Sequence, residues 1–518
     1  MLEHVKTIHA LHANEVGMDF VIISTASPQQ QLFWQKRLNK TRNYFLKPAC
    51  KILVVLEDWE GGAGNGLGTF YAFIEARELA KTTLGINLDE EIRKGKSVAI
   101  YHTSGYGQRL APLTICEYNN KSAIRLPSVL TAEGELLTIL EAVIKQTSLY
   151  AEYGRGRLSV FWGDQVFIPA TLPQGSPKSH VEIFAIFSPP ASKEEWEHKE
   201  LHNYGMVTMG APENNEGKPA TQMIEKVHFE YFHRLVGEKK LTIESGIGKS
   251  LGHFTISYLA LELLLKTFSS ELNNRQGRMD IDPYLWMAAT LDKDAYIASM
   301  TKKGLPEEQA SRHHERIARF LAEIHAHDPG KHFFGAHDVG GDSYWWDYGN
   351  IAHYYLNNMK LLNDSLEGAC MREFFQLPKE GLEHSNLLIN SRIEEGAVRN
   401  SILVNVHAKH LHAENCLMLN TACFEIHAHD ALCYNVLEKD KQILPASSVR
   451  ADLMTQEYGI VPFYSRIGSN GKEDWGERLA GNQFSYKEAY ELNRASNKEA
   501  LQHSFREEFR LFTTLQNI

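Results

Sequence analysis

Between Asp19 and Asp164 the chain repeats one motif four times: a short apolar run, a polar or glycine-rich break, then helix-forming sequence. The runs are "DFVIISTAS", "KILVVLED", "KSVAIYHT" and "GRLSVFWGD". Each is too short for a buried helix and rich in β-branched residues, so each predicts a strand buried on both faces. The segments between them predict helices. "SPQQQLFWQKRLNK" opens with Ser27 as N-cap and Pro28 at the first helical position. "FYAFIEARELAKTTL" opens from a glycine loop, and "LLTILEAVIKQTSLYAEY" reads as a long helix. Strands alternating with helices dictate an α/β fold with a parallel sheet covered on both sides. Ligands of such sheets sit beyond the carboxyl ends of the strands.

Three breaks fall at such ends. "GGAGNGLGT" places five glycines in nine positions directly before a helix. That many glycines carry a large entropic cost, which a plain connection rarely requires. A helix N-terminus there supplies donors for an anionic or polar group. The G-K-[ST] ending of a P-loop is missing, which disfavours a Walker-type ATPase. "HTSGYGQRLAPLT" follows the third strand, and its Arg109 can grip phosphate oxygens with two parallel donors. The third break is Gly163-Asp164. Asp164 and Asp347, the latter in "DSYWWDYGN", stand out as acids, and a carboxylate at a strand end beside a phosphate loop suits Mg²⁺.

Composition removes several classes of function. A net charge of −10 argues against gripping nucleic acid along a broad surface. No apolar run approaches the ~18 residues of a membrane span. The N-terminal stretch reads as an amphipathic helix rather than a signal peptide, so a cytoplasmic location is expected. Six cysteines, from Cys50 to Cys433, include no C-x-x-C pair, and the spacing of the 24 histidines matches no metal motif.

The middle of the chain mixes strands such as "HVEIFAIFS" and "YGMVTMG" with helices such as "PEEQASRHHERIARFLAEIHA". After about residue 384 short β-type runs dominate. "NSILVNV" and "NCLMLNT" echo each other, and Ile393, Val398, Val404, Leu411, Leu417 and Cys423 recur at intervals of about six. This predicts a β-helix of short coils, with a β-sandwich as the alternative. Three segments follow: 1–380, 381–450 and a mixed, helical tail over 451–518.

Taken in order, these motifs resemble a family. "SGYGQRLAPLT" is similar to the L-A-G-G-x-G-x-R-L-x-P-L-T signature of sugar-1-phosphate nucleotidyltransferases. "GAGNGLGTFYAF" ahead of it resembles the fucose-1-phosphate guanylyltransferase branch, as does the opening "FVIISTASPQQQLFWQKRL". "NYGMVTM", "MIEKV" and "SYWWDYGNIAHYYLNNMKLL" resemble the Y-G-V-V, F-x-E-K-P and W-x-D-x-G-T segments of the superfamily. The likeness spans about residues 19 to 450. It implies a Rossmann-like mixed sheet followed by a parallel β-helix of the left-handed type.

The resemblance also implies roles. Arg109, Lys121 and Lys226 would be catalytic cations, with Arg109 on the nucleotide phosphates and Lys226 on the sugar phosphate. Gly64, Asn65, Gly66 and Thr69 would cradle the base or ribose. Ser104, Gly105, Gly107 and Gly163 would complete the nucleotide site. Tyr204, Gly205 and Glu225 would line the sugar pocket, and Asp164 and Asp347 would hold Mg²⁺. The substrates would be a nucleoside triphosphate, GTP by the branch, and a fucose-like or other hexose 1-phosphate. UTP with a hexose 1-phosphate, and a non-catalytic sugar-nucleotide scaffold, are the alternatives. A homo-oligomer is compatible with either. The chain departs from the pattern at Ser104, where glycine is usual, at Val227 for proline, at Asn350 for threonine, and in the longer spacing from Arg109 to Lys121.

Overall fold

The first apolar run forms β1, Phe20–Thr25, and all six of its residues are buried. It lies between two parallel neighbours, β2 (Lys51–Leu56) and β3 (Val98–His102), so neither face nor edge meets water. A short antiparallel pair, β4 (Arg125–Val129) and β5 (Leu136–Thr138), precedes β6 (Arg157–Trp162), which continues the parallel set beside β3. The chain then adds β7 (Gln165–Ile168), β8 (Ser179–Ser188), β9 (Gly205–Met209), β10 (Ala220–Glu225), β11 (Ile247–Ser257), β12 (His332–Asp338) and β13 (Tyr344–Asp347). The resulting sheet runs β10-β9-β11-β6-β3-β1-β2, with β8 on β11 and β12 on β8. It is a mixed α/β sheet whose β6-β3-β1-β2 half is parallel.

The computed structural model describes the chain except residues 1, 13–15, 132–133, 173–174, 210–219, 244–245, 378–381, 384–385, 390–391, 406, 420–421, 437–441, 495, 499, 506 and 508–518. Alternate residues of each central strand enter two different cores, as period-2 geometry requires. Val21, Ile23, Ala99 and Tyr101 face one, while Phe20, Ile22, Val98 and Ile100 face the other. The first core receives helices α1 (Leu2–His12) and α2 (Pro28–Thr41). Ser27 caps α2 as its sequence predicts, its hydroxyl accepting from the Gln30 N–H at 3.2 Å. The second core receives α3 (Gly64–Leu84) and the helical insertion that includes Glu307–His327.

Two helices differ from expectation. The stretch expected as one long helix over Leu136–Tyr153 is divided: a strand to Thr138, then a helix over Ile139–Thr147 capped by Thr138 and Glu141. Helix α3 begins at Gly64, inside the glycine loop, rather than after it. A Cβ on Gly64 would stand 2.5 Å from the Met279 carbonyl oxygen, and one on Gly66 2.9 Å from it. The glycines therefore admit a neighbouring stretch of backbone at the first helical turn.

Beyond residue 386 the strands alternate between two parallel ladders. One contains Asn386–Ile389, Ile402–Val404, Leu417–Leu419, Leu432–Tyr434 and Ser448–Thr455, the other Arg392–Arg399, His407–Glu414 and Ile426–His429. Leu387, Ile402, Leu417 and Leu432 stand in register, a step of 15 residues. The six-residue interval expected from the apolar pattern is not the repeat. Val404 and Leu417 belong to one ladder and Leu411 to the other, while the side chains of Ile393 and Cys423 lie outside the described residues. The true period is marked by the corners. Asn400, Asn415 and Asp430 take left-handed φ values of 48°, 53° and 49°, a conformation Asn and Asp tolerate better than most residues. Asn415 donates through Nδ2 to Asp430 at 2.9 Å along this stack.

The stack has a small core of its own, which includes Leu403, Leu411, Met418 and Cys433, and it also shares a larger one. One apolar cluster runs from Ile8 through Leu140, Leu387 and Leu432 to Phe505. At its centre the buried Glu117 accepts from Tyr434 Oη at 2.8 Å, and pairs with Arg125 at 3.2 Å and Lys498 at 3.3 Å. Burial raises this carboxyl, but Arg125 and Lys498 outweigh it and hold it below its ordinary range. No helix among the described residues is long and apolar enough to cross a membrane.

Candidate active site

The loops that follow β1, β2, β3 and β6 converge on one cleft of about 860 Å³. The chain passes from β1 to β2 on one side and returns to β3 on the other, so the cleft opens at the switch point of the parallel strands. Of the residues expected at a site, Gly64, Asn65, Ser104, Gly105, Lys121 and Asp164 line it. Trp59, Tyr106 and Trp162 add aromatic faces, and Arg278 adds a cation. Tyr490, Asn493 and Arg494 of the tail close one wall, which nothing in the sequence motifs signals. Asn493 anchors that wall by donating to the Ile115 carbonyl at 2.8 Å.

Asp164 sits where β6 ends. Lys121 Nζ donates to its Oδ2 at 3.1 Å. Burial raises the Asp164 carboxyl, yet Lys121, then Arg109 and His253, outweigh it and keep the group ionised. Strands β7 and β13 bring the second acid alongside: Asp347 pairs with Gln165, and the Tyr348 N–H donates to the Asp164 carbonyl at 3.0 Å. Asp347 Oδ1 accepts from the Gly349 N–H at 2.7 Å, and His353 Nδ1 lies 3.6 Å from Oδ2. Arg109, exposed on a turn of 3-10 helix, lies near both acids: its charge acts on Asp164, and a Cβ on Gly349 would meet its Nη2 at 3.5 Å and Asp347 Oδ1 at 2.9 Å. One expected set (Arg109, Lys121, Asp164 and Asp347) is thus assembled.

Two glycines make this corner possible. Gly107 has a φ of +61°, and a Cβ there would stand 2.9 Å from the Cβ of Lys121. Gly163 lies against the end of β3, where a Cβ would stand 3.0 Å from the His102 carbonyl oxygen. Each lets one cluster residue approach the strand ends. Ser104, standing where glycine is usual, donates through Oγ to Glu57 Oε2 at 3.1 Å. Burial pushes the Glu57 carboxyl up. Gly105 has open space at its Cβ position.

The first glycine loop divides. Gly61 and Gly62 border the cleft with nothing near their Cβ positions. From Gly64 onward the loop's donors face the chain itself. The Asn65 N–H donates to Asp280 Oδ1 at 3.0 Å, and the Gly66 N–H to the Met279 carbonyl at 2.8 Å. The Ile281 N–H donates to Asn65 Oδ1 at 2.6 Å. Thr69 is buried and holds His102 Nε2 at 2.8 Å.

A second expected set meets at the ends of β9 and β10. Gly205 pairs with Glu225, and the Lys226 N–H donates to the Tyr204 carbonyl at 3.0 Å. Lys226 Nζ lies 2.8 Å from Glu225 Oε1, so the two expected sugar-site residues neutralise each other. Asp282 adjoins them, its carboxyl pushed up to about 7 by burial and by Glu225. Sequence motifs do not mark Lys249. On β11 it places its ammonium 4.3 Å from the ring centre of Trp345 and 4.9 Å from that of Tyr204. Burial, reinforced by Lys199, pushes it down to about 8. A lysine inside "GIGKSLGHF" carries no pattern that would single it out.

Among the described residues no three or more His, Cys, Asp or Glu side chains form a group that could hold a metal ion. A divalent ion here would rest on Asp164 and Asp347 alone, completed by water and phosphate oxygens, which is the habit of Mg²⁺. Asp164 Oδ1 accepts no hydrogen bond from the described residues, which leaves it free to take such an ion, and Asp347 lies on the strand paired beside it.

No family model matches the chain, and no curated protein matches it. Among solved structures it is similar to the mannose-1-phosphate geranyltransferase of Thermus thermophilus, at 12% identity, over 71% of this chain and 94% of that one, with a TM-score of 0.28.

Proposed function

We propose that the protein transfers a nucleotidyl group from a nucleoside triphosphate to a sugar 1-phosphate, releasing pyrophosphate. The observation that carries this reading is the Lys121–Asp164 ion pair at the end of β6, on the wall of an 860 Å³ cleft, with the Arg109 charge acting on Asp164 from nearby. Two polyanions must meet in such a reaction, so positioning and charge neutralisation supply most of the rate. The acceptor's phosphate oxygen attacks the α-phosphorus in line, and the bond to pyrophosphate breaks.

Lys121 is held against Asp164 before substrate arrives, and Gly107, which has no Cβ, leaves room for its stem. Its ammonium is therefore in place for the α-phosphate oxygens. Arg109, exposed and near both acids, is placed for the departing pyrophosphate. Asp164 and Asp347 would hold Mg²⁺, which when bound supplies further neutralisation of phosphate charge. The aromatic faces of Trp59, Tyr106 and Trp162 suit a nucleobase. Resemblance to the guanylyltransferase branch favours GTP and a fucose-like sugar. We also read the two-ladder stack as a β-helix of 15-residue coils, packed on the catalytic sheet through Glu117.

The test is pyrophosphate release across the four nucleoside triphosphates and a panel of hexose 1-phosphates, with Mg²⁺. One triphosphate paired with one sugar phosphate is expected to release pyrophosphate in step with nucleotide-sugar formation. Absence of release in every pairing contradicts the reading and favours a binding or scaffold protein.

A further inference from the structure

Three lysines border the two acid corners, and two of them are already paired. Lys121 Nζ is 3.1 Å from Asp164 and Lys226 Nζ is 2.8 Å from Glu225. Lys249 differs. Among the described residues its ammonium has no carboxylate within ion-pair distance and no hydrogen-bond acceptor, only the faces of Trp345 and Tyr204. Ring faces stabilise a cation but accept none of its hydrogen bonds in the manner of an oxygen. Lys249 is half-buried, so its three N–H donors are left to solvent or to a ligand rather than to the protein. The arrangement is that of a cation held in position for an anion.

The position of the ammonium says which anion. Trp345 and Asp347 lie two residues apart on β13, hence on one face of that strand. The Asp347 charge acts on Lys249. The ammonium thus sits on the Asp347 side of the acid pair, with Lys121 on the Asp164 side. Tyr204 immediately precedes β9, away from the nucleotide loops that follow β1, β2 and β3. Lys226, which the family resemblance would place on the sugar phosphate, is neutralised by Glu225 and flanked by Asp282.

We propose that Lys249, held against the neighbouring rings of Tyr204 and Trp345, is the cation that binds the phosphate of the sugar 1-phosphate acceptor. This rests on the nucleotidyltransferase reading given above. Tyr204 and Trp345 fix the ammonium so that it meets the acceptor phosphate without reorganising. Lys226 instead orders Glu225 and the turn after β10.

The test compares Lys249→Met, Lys249→Arg and Lys226→Met with the wild type. Binding of fucose 1-phosphate and glucose 1-phosphate is measured by calorimetry, separately from binding of GTP and UTP, with KM and kcat for any productive pair. Losing one charge-assisted phosphate contact predicts an acceptor KM and Kd raised about 10- to 100-fold in Lys249→Met. Triphosphate binding should stay within about threefold, because those phosphates meet Lys121 and Arg109. Lys249→Arg, which keeps the charge, should recover most of the loss, and Lys226→Met should lose several-fold less than Lys249→Met. Equal loss of triphosphate and acceptor binding in Lys249→Met, or a larger acceptor loss in Lys226→Met, overturns the assignment while leaving the reaction class intact. A wild type that binds no sugar 1-phosphate overturns the assignment and the reaction class together.

Discussion

Two glycine-rich loops leave the same sheet, and they do opposite things. Both follow parallel strands, and both suggest a backbone opened for phosphate. The loop after β3 turns outward: Gly105 has no atom near its Cβ position, and Tyr106 is exposed over the cleft. The loop after β2 turns inward from Gly64, filling its space with Met279 to Ile281 of its own chain. Glycine density marks where something approaches the backbone closely. It does not say whether that something is a ligand or another piece of protein.

Mutations on either side of this contrast should separate activity from stability. The largest effect belongs to the corner behind the outward loop. Asp164→Asn removes the charge that organises Lys121 and should lower pyrophosphate release by about a thousandfold. Its melting temperature should stay within a few degrees of wild type, because the asparagine keeps the shape. On the inward loop, Gly64→Ala combines a φ of +75° with overlap against the Met279 carbonyl. It should cost about 2–4 kcal/mol of stability, read by denaturant unfolding, with triphosphate affinity per folded molecule little changed. Asp280→Ala deletes the acceptor of the Asn65 N–H at the start of α3 and should cost about 1–2 kcal/mol. Gly105→Ala should cost about 1 kcal/mol, from its φ of +117°, yet lower kcat/KM about tenfold. If Gly64→Ala damages turnover more than stability, the inward loop also touches substrate and the contrast breaks.

The smallest effect is one of pH, and it reports on the seam between the loops. His102 joins them, bonded to Thr69 of α3 at the end of β3, and burial pushes it down to about 4. The unfolded chain takes up a proton on this group near pH 6.5, the folded chain only near pH 4. Stability from His102 is therefore complete above pH ~6.5 and falls as the pH drops from there toward ~4. His180, also pushed down to about 4 by burial, adds in the same direction. Asp282, pushed up to about 7, acts in the opposite direction over the same window, so the histidine contribution is read as a difference: a His102→Gln variant whose melting temperature falls as steeply as that of the wild type between pH 6.5 and 4 would contradict the His102 assignment.

Much of this architecture is legible in the sequence because parallel strands and caps are local signals. The four apolar runs, the Ser27-Pro28 helix start and the amphipathic Glu307–His327 helix need only neighbours in the chain. The stack beyond residue 386 disguises its period because apolar residues feed two ladders at once. Their combined spacing looks shorter than the 15-residue step between strands of one ladder. Asn400, Asn415 and Asp430, required at left-handed corners, carry the 15-residue repeat in plain view. The site is legible where a motif surrounds the residue, as at Arg109 and Asp164. It is not legible at Lys249, which acquires its place only when β11 packs beside Trp345 of a distant strand. Nor is the tail wall of Tyr490 and Asn493, since it is built by contacts across more than 370 residues.

The most direct measurement of the central claim is phosphorus-31 NMR of the reaction mixture, wild type against Asp164→Asn. With Mg²⁺, a triphosphate and a sugar 1-phosphate, the wild type should convert the sugar monophosphate resonance into the coupled pair of a nucleotide-linked diphosphate, with one pyrophosphate per product, and Asp164→Asn should leave the substrates unchanged. Unchanged substrates in the wild type for every triphosphate and sugar phosphate, or full conversion by Asp164→Asn, would contradict a nucleotidyl transfer centred on the Lys121–Asp164 corner.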